Sequence, residues 1–273
     1  MSPTSTRYLA ATATCALTVS ALACLSGCSD SSTSGGGAVA ELGERASACP
    51  DSALYNSFDA LDGSGSSQDE TLLSARWDAV RDHLVQTAVC GGHARIIVVS
   101  SSSATSVVLL DADLQPSGAT RNAKLRRVDG LVDEKLVQVK AAYDEAVPLL
   151  DPNGTDMTAV YYALSDYITD RDHVGDDQVY IAQIETDGIQ NVGVNLGVPS
   201  LDAASAESLA ASVPVPRLGG RVSISFLGIG KVAGSAQPST EYVNGLKAFW
   251  STTCSATGAG SCTVLTDFGG RSQ

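Results

Sequence analysis

The sequence predicts an α/β domain, an open, mostly parallel, doubly wound sheet with helices on both faces and one antiparallel edge strand. Three observations predict it. Short apolar, β-branched runs alternate along the chain with segments whose apolar residues recur at helical spacing. Two of those runs, "ARIIVVS" (94–100) and "TSVVLLD" (105–111), are separated only by a few serines. That gap is too short for a helical crossover, so the pair is a hairpin and one strand runs antiparallel. Beyond Cys49, about 220 residues remain, enough for one domain with a sizeable core.

Taken in order, "ALYNSFDAL" (53–61) is a first strand, partly alternating and unusually polar at Asn56, Ser57 and Asp59. Ser67 with Glu70 reads as a capping box. The helix it opens continues through Leu73, Trp77, Val80, Leu84 and Ala88. The hairpin follows, then a polar, basic-rich excursion over 112–128. Val132, Leu136, Val139, Tyr143 and Val147 mark the next helix, which Pro148 helps to end. A turn, "DPNGTD" (151–156), precedes a helix carrying Met157, Val160, Tyr161, Leu164 and Ile168. "QVYIAQIET" (178–186) is a strand, 202–212 a short helix and "RVSISFLGIG" (221–230) another strand. A helix through Tyr242, Leu246, Phe249 and Trp250 follows, and "CTVLTDF" adds a last edge strand. Trp77, Phe249 and Trp250 sit at helical spacing and read as core.

In such sheets ligands lie beyond the carboxyl ends of the strands, so the loops there carry the functional argument. Three of them hold short oxygen donors: Asp62-Gly63-Ser64-Gly65-Ser66, Thr155 in "NGTD" and Asp187 in "TDG". Alternate side chains of an extended loop point the same way, so Asp62, Ser64 and Ser66 face one point while the glycines keep the backbone close. Carboxylate and hydroxyl oxygens are hard ligands that suit Mg²⁺, Ca²⁺ or Mn²⁺ rather than Zn²⁺.

On these residues the chain resembles the von Willebrand factor A domain family, whose metal-ion-dependent adhesion site combines Asp-x-Ser-x-Ser with a distant Thr and a distant Asp. The order of elements fits as well. The resemblance implies that Ser64, Ser66 and Thr155 touch the metal directly and that Asp62 and Asp187 act directly or through water. It also implies a coordination position open to a carboxylate of a protein or peptide partner. Taken alone, each motif has a plainer reading: a Gly/Ser turn, an Asp-Gly turn and a helix cap. Glu185 reads as a strand-end surface residue.

The N-terminus carries Arg7, then the apolar run "YLAATATCALTVSALACL" and small residues, the layout of a secretory signal peptide. Its exit, Leu25-Ser26-Gly27-Cys28, resembles the lipobox of bacterial lipoproteins, which implies cleavage before Cys28 and lipid on that cysteine. The expected organisation is a signal over 1–27, a flexible Ser/Gly-rich tether over 28–48, and one domain over 49–273. The expected location is the outer face of a bacterial cell membrane, held by the lipid.

Four further cysteines, Cys49, Cys90, Cys254 and Cys262, form an even set in an exported chain and favour two disulfides. The pairing taken as the working hypothesis is Cys49–Cys90 with Cys254–Cys262, the two other connectivities staying open. Without the signal's Arg7, 17 − 1 = 16 basic residues face 30 acidic ones, a net charge of −14. Such a surface repels nucleic acid and anionic lipid, so neither is an expected partner.

The reading is therefore a binding module without turnover. Three alternatives stand beside it: the same scaffold with a degenerate metal site, a secreted hydrolase, and a solute-binding lipoprotein. A hydrolase lacks the Gly-x-Ser-x-Gly elbow here. His83 reads as solvated on the polar side of its helix and His173 as a loop residue, with His93 scattered from both. The single basic cluster, "RNAKLRR" (121–127), reads as a solvated loop face or a dock for an acidic partner.

Overall fold

The computed structural model describes residues 33–101, 106–174, 177–234 and 237–269. Six strands form one sheet: β1 (Leu54–Asp62), β2 (His93–Val99), β3 (Val107–Asp113), β4 (Gln178–Glu185), β5 (Val222–Leu227) and β6 (Ser261–Val264). Their order is β3-β2-β1-β4-β5-β6. Every neighbouring pair is parallel except β2–β3, the antiparallel hairpin, which carries a register shift between Ile96 and Ile97. The helices are α1 (Thr33–Arg45), α2 (Glu70–Cys90), α3 (Arg121–Leu125), α4 (Val128–Ala146), α5 (Val160–Asp172), α6 (Ala203–Ala210) and α7 (Thr240–Ala256).

The alternation of strand side chains splits the core in two. Phe58 and Ala60 of β1, with Tyr180, Ala182 and Ile184 of β4, pack with α5, α6 and α7. Leu61 of β1, with Ile96 and Val98 of β2, packs with α1, α2 and α4 on the opposite face. The sheet is thus doubly wound, as the element order requires. Phe249 and Trp250 are fully buried, and Trp77 packs edge-on to Tyr143.

β1 is the central strand despite its polar content, because Asn56, Ser57 and Asp59 each find at least one partner inside. The Asn56 amide donates to Gln178 Oε1 at 2.7 Å, and its carbonyl oxygen accepts from Arg171 Nε at 3.0 Å. Asp59 Oδ1 lies 2.8 Å from His83 Nδ1 on α2. His83 is therefore buried, not solvated as the helix pattern suggests, and Glu185 is fully buried rather than a surface residue at a strand end.

Residues 33–45 are helical rather than part of a flexible tether. Three consecutive glycines, Gly35 to Gly37, disfavour a helix in isolation. Tertiary packing supplies the difference: Leu42 is buried with Val39 against the α2–α4 face, and Arg45 pairs with Asp82 of α2. The expected signal over 1–27 and Cys28 lie outside the described residues. α2 starts at Glu70 with Asp69 as its cap, accepting from Thr71 N–H at 2.9 Å, instead of from a Ser67 capping box. Ser67 instead ends a 3₁₀ turn, Gly65–Ser67. Disulfides join Cys49 to Cys90, at the end of α2, and Cys254 of α7 to Cys262 of β6.

Candidate functional site

Four loops meet beyond the carboxyl ends of β1, β4 and β5, and a ring of hydrogen bonds fastens them together. The β1 loop reaches the 150–156 loop through Gly65 N–H, which donates to Pro152 O at 2.8 Å. It reaches the β4 loop through the Thr186 hydroxyl, which donates to Asp62 Oδ2 at 2.8 Å. The 150–156 and β4 loops are joined where Thr155 N–H donates to Asn191 Oδ1 at 2.9 Å and Thr155 O accepts from Asn191 and Val192. The β5 loop closes the ring: Gly230 N–H donates to Asp187 O at 2.8 Å and Ala233 N–H to Ser66 O at 2.9 Å.

Two glycines permit this approach. A Cβ on Gly63 would lie 2.6 Å from Leu150 Cδ1 and 2.9 Å from Val98 Cγ2. One on Gly65 would lie 3.1 Å from Pro152 O, so the loop closes against its neighbour only without side chains there.

Within the ring, Asp62 ends β1 with no exposed surface. Its Oδ1 accepts from Ser64 N–H at 2.9 Å, which folds the loop back and turns the Ser64 hydroxyl to within 3.3 Å of Ser66 Oγ. Both oxygens of Asp62 thus already accept one hydrogen bond each. Asp187 follows β4 and is also fully buried. Its Oδ1 accepts from Ile189 N–H at 2.8 Å, while its Oδ2 has no partner among the described residues. Burial, and then the Asp62 carboxylate, push the Asp187 carboxyl up to about 7, against the opposing pull of the Ser66 hydroxyl. Asp187 thus feels a second buried carboxylate, Asp62, and the Ser66 hydroxyl, with the Arg76 guanidinium only partly offsetting the negative charge.

The structure brings Asp62, Ser64, Ser66 and Asp187 together, and sets Thr155, itself buried, in the adjoining loop by its backbone. The donor set fits a hard cation: an orphaned buried carboxylate oxygen, a second carboxylate and a pair of hydroxyls. Among the described residues no group of three or more His, Cys, Asp or Glu is placed to hold a metal. Any cation here would consequently depend on hydroxyl oxygens and water.

Three participants escaped the sequence pattern. Thr186 holds Asp62 Oδ2, and Asn191 positions Thr155. Arg76, almost fully buried on α2, donates from one guanidinium nitrogen to Asp62 O at 3.0 Å and Ser67 O at 3.2 Å. A signal for Arg76 did exist: it lies on the helical stripe of Leu72, Ala79, Val80 and His83 that faces the sheet. Behind the site Arg76 shares a buried zone with Asp59, His83 and Glu185. Burial, and then the Asp59 carboxylate, hold the Glu185 carboxyl well above its usual range.

No protein-family model matches the chain, and no curated protein matches it. Among solved structures, a conserved hypothetical protein, BatB from Bacteroides thetaiotaomicron, is similar with a TM-score of 0.40 at 12% identity, over 78% of this chain and 91% of that one. Proximal thread matrix protein 1 from the mussel byssus gives 0.32 at 14% identity, over 74% and 48%. The fold assignment rests on strand order and register rather than on likenesses this distant.

Proposed function

We propose that this chain is a von Willebrand factor A-type binding module, lipid-anchored through Cys28 outside the bacterial cell membrane. It recognises a carboxylate of a protein or peptide partner through a Mg²⁺-type cation. The observation that carries the reading is the fully buried Asp187 carboxyl, which lies under the influence of the Ser66 hydroxyl and the Asp62 carboxylate and whose Oδ2 has no hydrogen-bond partner among the described residues. An oxygen so placed loses several kilocalories of solvation unless a proton or a cation meets it. Ser64, Ser66 and Thr155 would hold the cation by their hydroxyls. Asp187 would hold it by its free oxygen or through a water. Asp62, with both oxygens engaged, would act through water. The cation would keep a position for the partner's carboxylate, so the module binds and does not turn over.

Calorimetric titration of the purified chain with Mg²⁺, Ca²⁺ and Mn²⁺ tests this reading. Saturable binding to one site, abolished in the Asp62→Ala, Asp187→Ala double variant, is the expected result. Absence of binding, or binding unchanged in the double variant, rejects it. A second reading, the same scaffold with a site that takes no cation, is favoured by one observation: the Thr186 hydroxyl already satisfies Asp62 Oδ2. In that case all three titrations are flat while the chain unfolds cooperatively.

A further inference from the structure

The cations of this acidic chain are not distributed like its acids. Arg45, Arg81, Arg95, Lys135, Arg221 and Lys231 are each within an ion pair with a neighbouring carboxylate. Arg121, Lys124, Arg126 and Arg127, on α3 and the turn after it, are all exposed, and none pairs with a carboxylate among the described residues. The acid nearest in sequence, Asp129, is engaged by Arg81 at 3.1 Å. Thr120 caps α3 and fixes its start, so the four cations stand on an ordered turn. Arg121 and Lys124 help to line a niche of about 290 Å³, together with Gln115, Leu125 and Val128. Charge and shape there suit a phosphate-bearing headgroup.

The position of this patch identifies the anionic surface. α3 packs against α1, the first described helix. Thr33, where α1 starts, is five residue steps along the chain from Cys28. Even fully extended, five residues reach no more than about 18 Å. We infer that the Arg121–Lys124–Arg126–Arg127 face of α3 docks on anionic phospholipid headgroups of the membrane that holds Cys28, and so orients the tethered domain. The inference rests on the lipid-anchor reading of Cys28. Elsewhere the chain carries 30 acidic residues against 17 − 4 = 13 basic, so an anionic bilayer repels the rest of it on balance and attracts this face. The attraction acts within about 8 Å at physiological salt, which the short connection to the anchor satisfies better than free diffusion would.

The four remaining cysteines are paired in disulfides, so Cys28 is the single free thiol of the chain from Cys28 onward. That chain can be coupled to a maleimide headgroup lipid in vesicles of either phosphatidylglycerol or phosphatidylcholine, and amide hydrogen exchange measured on both. The expected result is slowed exchange over 121–127 on the phosphatidylglycerol vesicles only, lost in roughly 0.5 M salt. It should also be lost in the R121Q/K124Q/R126Q/R127Q variant, whose exchange elsewhere in the domain reports an intact fold. Equal exchange over 121–127 on both vesicles overturns the inference, as does protection that survives in the variant. Protection that appears without vesicles and rises with protein concentration also overturns it, by assigning the patch to an acidic face of a second copy. Failure of the anchor is read separately, from the mass of the N-terminal peptide isolated from cells: an unmodified Cys28 there rejects the anchor and leaves the vesicle result to judge the patch.

Discussion

Asp59 sits in the middle of the central strand with no exposed surface, and its one hydrogen-bonded oxygen meets His83 Nδ1 at 2.8 Å. A buried carboxylate without that partner keeps its desolvation cost and loses the compensating bond. His83→Ala should therefore destabilise the chain by about 3 kcal/mol in urea unfolding. Arg81→Ala, which breaks two exposed ion pairs with Asp129 and Asp133, should change stability by less than about 1 kcal/mol. The opposite ranking would show that the buried pair is not what holds α2 to β1. His93 makes a second residue-scale case. Burial, and then the Arg171 guanidinium, hold its imidazolium below the ordinary value of 6.5, although Asp111 lies 3.0 Å from Nε2. The unfolded chain thus takes up this proton at a higher pH than the folded chain does. The contribution is fully present above about pH 6.5 and is lost as pH falls below that value. Between pH 7.5 and 5.5 the wild type should lose more stability than His93→Gln, and equal losses would contradict the assignment.

At the scale of elements, the two disulfides clip very different lengths of chain. Cys49 and Cys90 are 41 residues apart and tie the approach to β1 to the end of α2; Cys254 and Cys262 are 8 apart. In the loop-entropy description, opening the first costs about 4 kcal/mol and opening the second about 2.5. Thermal unfolding of Cys49→Ser/Cys90→Ser and Cys254→Ser/Cys262→Ser variants should rank them in that order, and the reverse order would reject the loop-entropy account. The elements also show where the sequence speaks clearly. The hairpin of β2 and β3 is legible because a few serines leave no room for a crossover. The end of β1 at Asp62 is legible because glycines and serines follow it. Helix α1 is not, since its triple glycine signals a coil and only the packing of Leu42 and the Arg45–Asp82 pair make it a helix. The start of α2 is displaced for a similar reason: the 3₁₀ turn and the grip of Arg76 on Ser67 O use the residue that a capping box would need.

Across the whole molecule, the strand order and the doubly wound layers are visible in the alternation of elements, while the polarity of the central strand is not. Asn56, Ser57 and Asp59 weaken the signal of a buried strand, because their partners (Gln178 and Arg171 for Asn56, the His93 carbonyl for Ser57, His83 for Asp59) lie far away in sequence. The site shows the same division. Asp62, Ser64, Ser66 and Asp187 are motif residues and are legible. Thr186, Asn191 and Arg76 matter only through contacts that the fold creates. A site assembled from four loops should fail as a unit, so under the proposed function Asp187→Ala should abolish cation binding without unfolding a sheet whose core lies elsewhere. The most direct measurement is anomalous diffraction from crystals of the chain soaked with Mn²⁺. The account predicts one peak bonded to the Ser64 and Ser66 hydroxyls beside Asp187 Oδ2, and a chain with no peak there, or with its Mn²⁺ bound at another site, would contradict it.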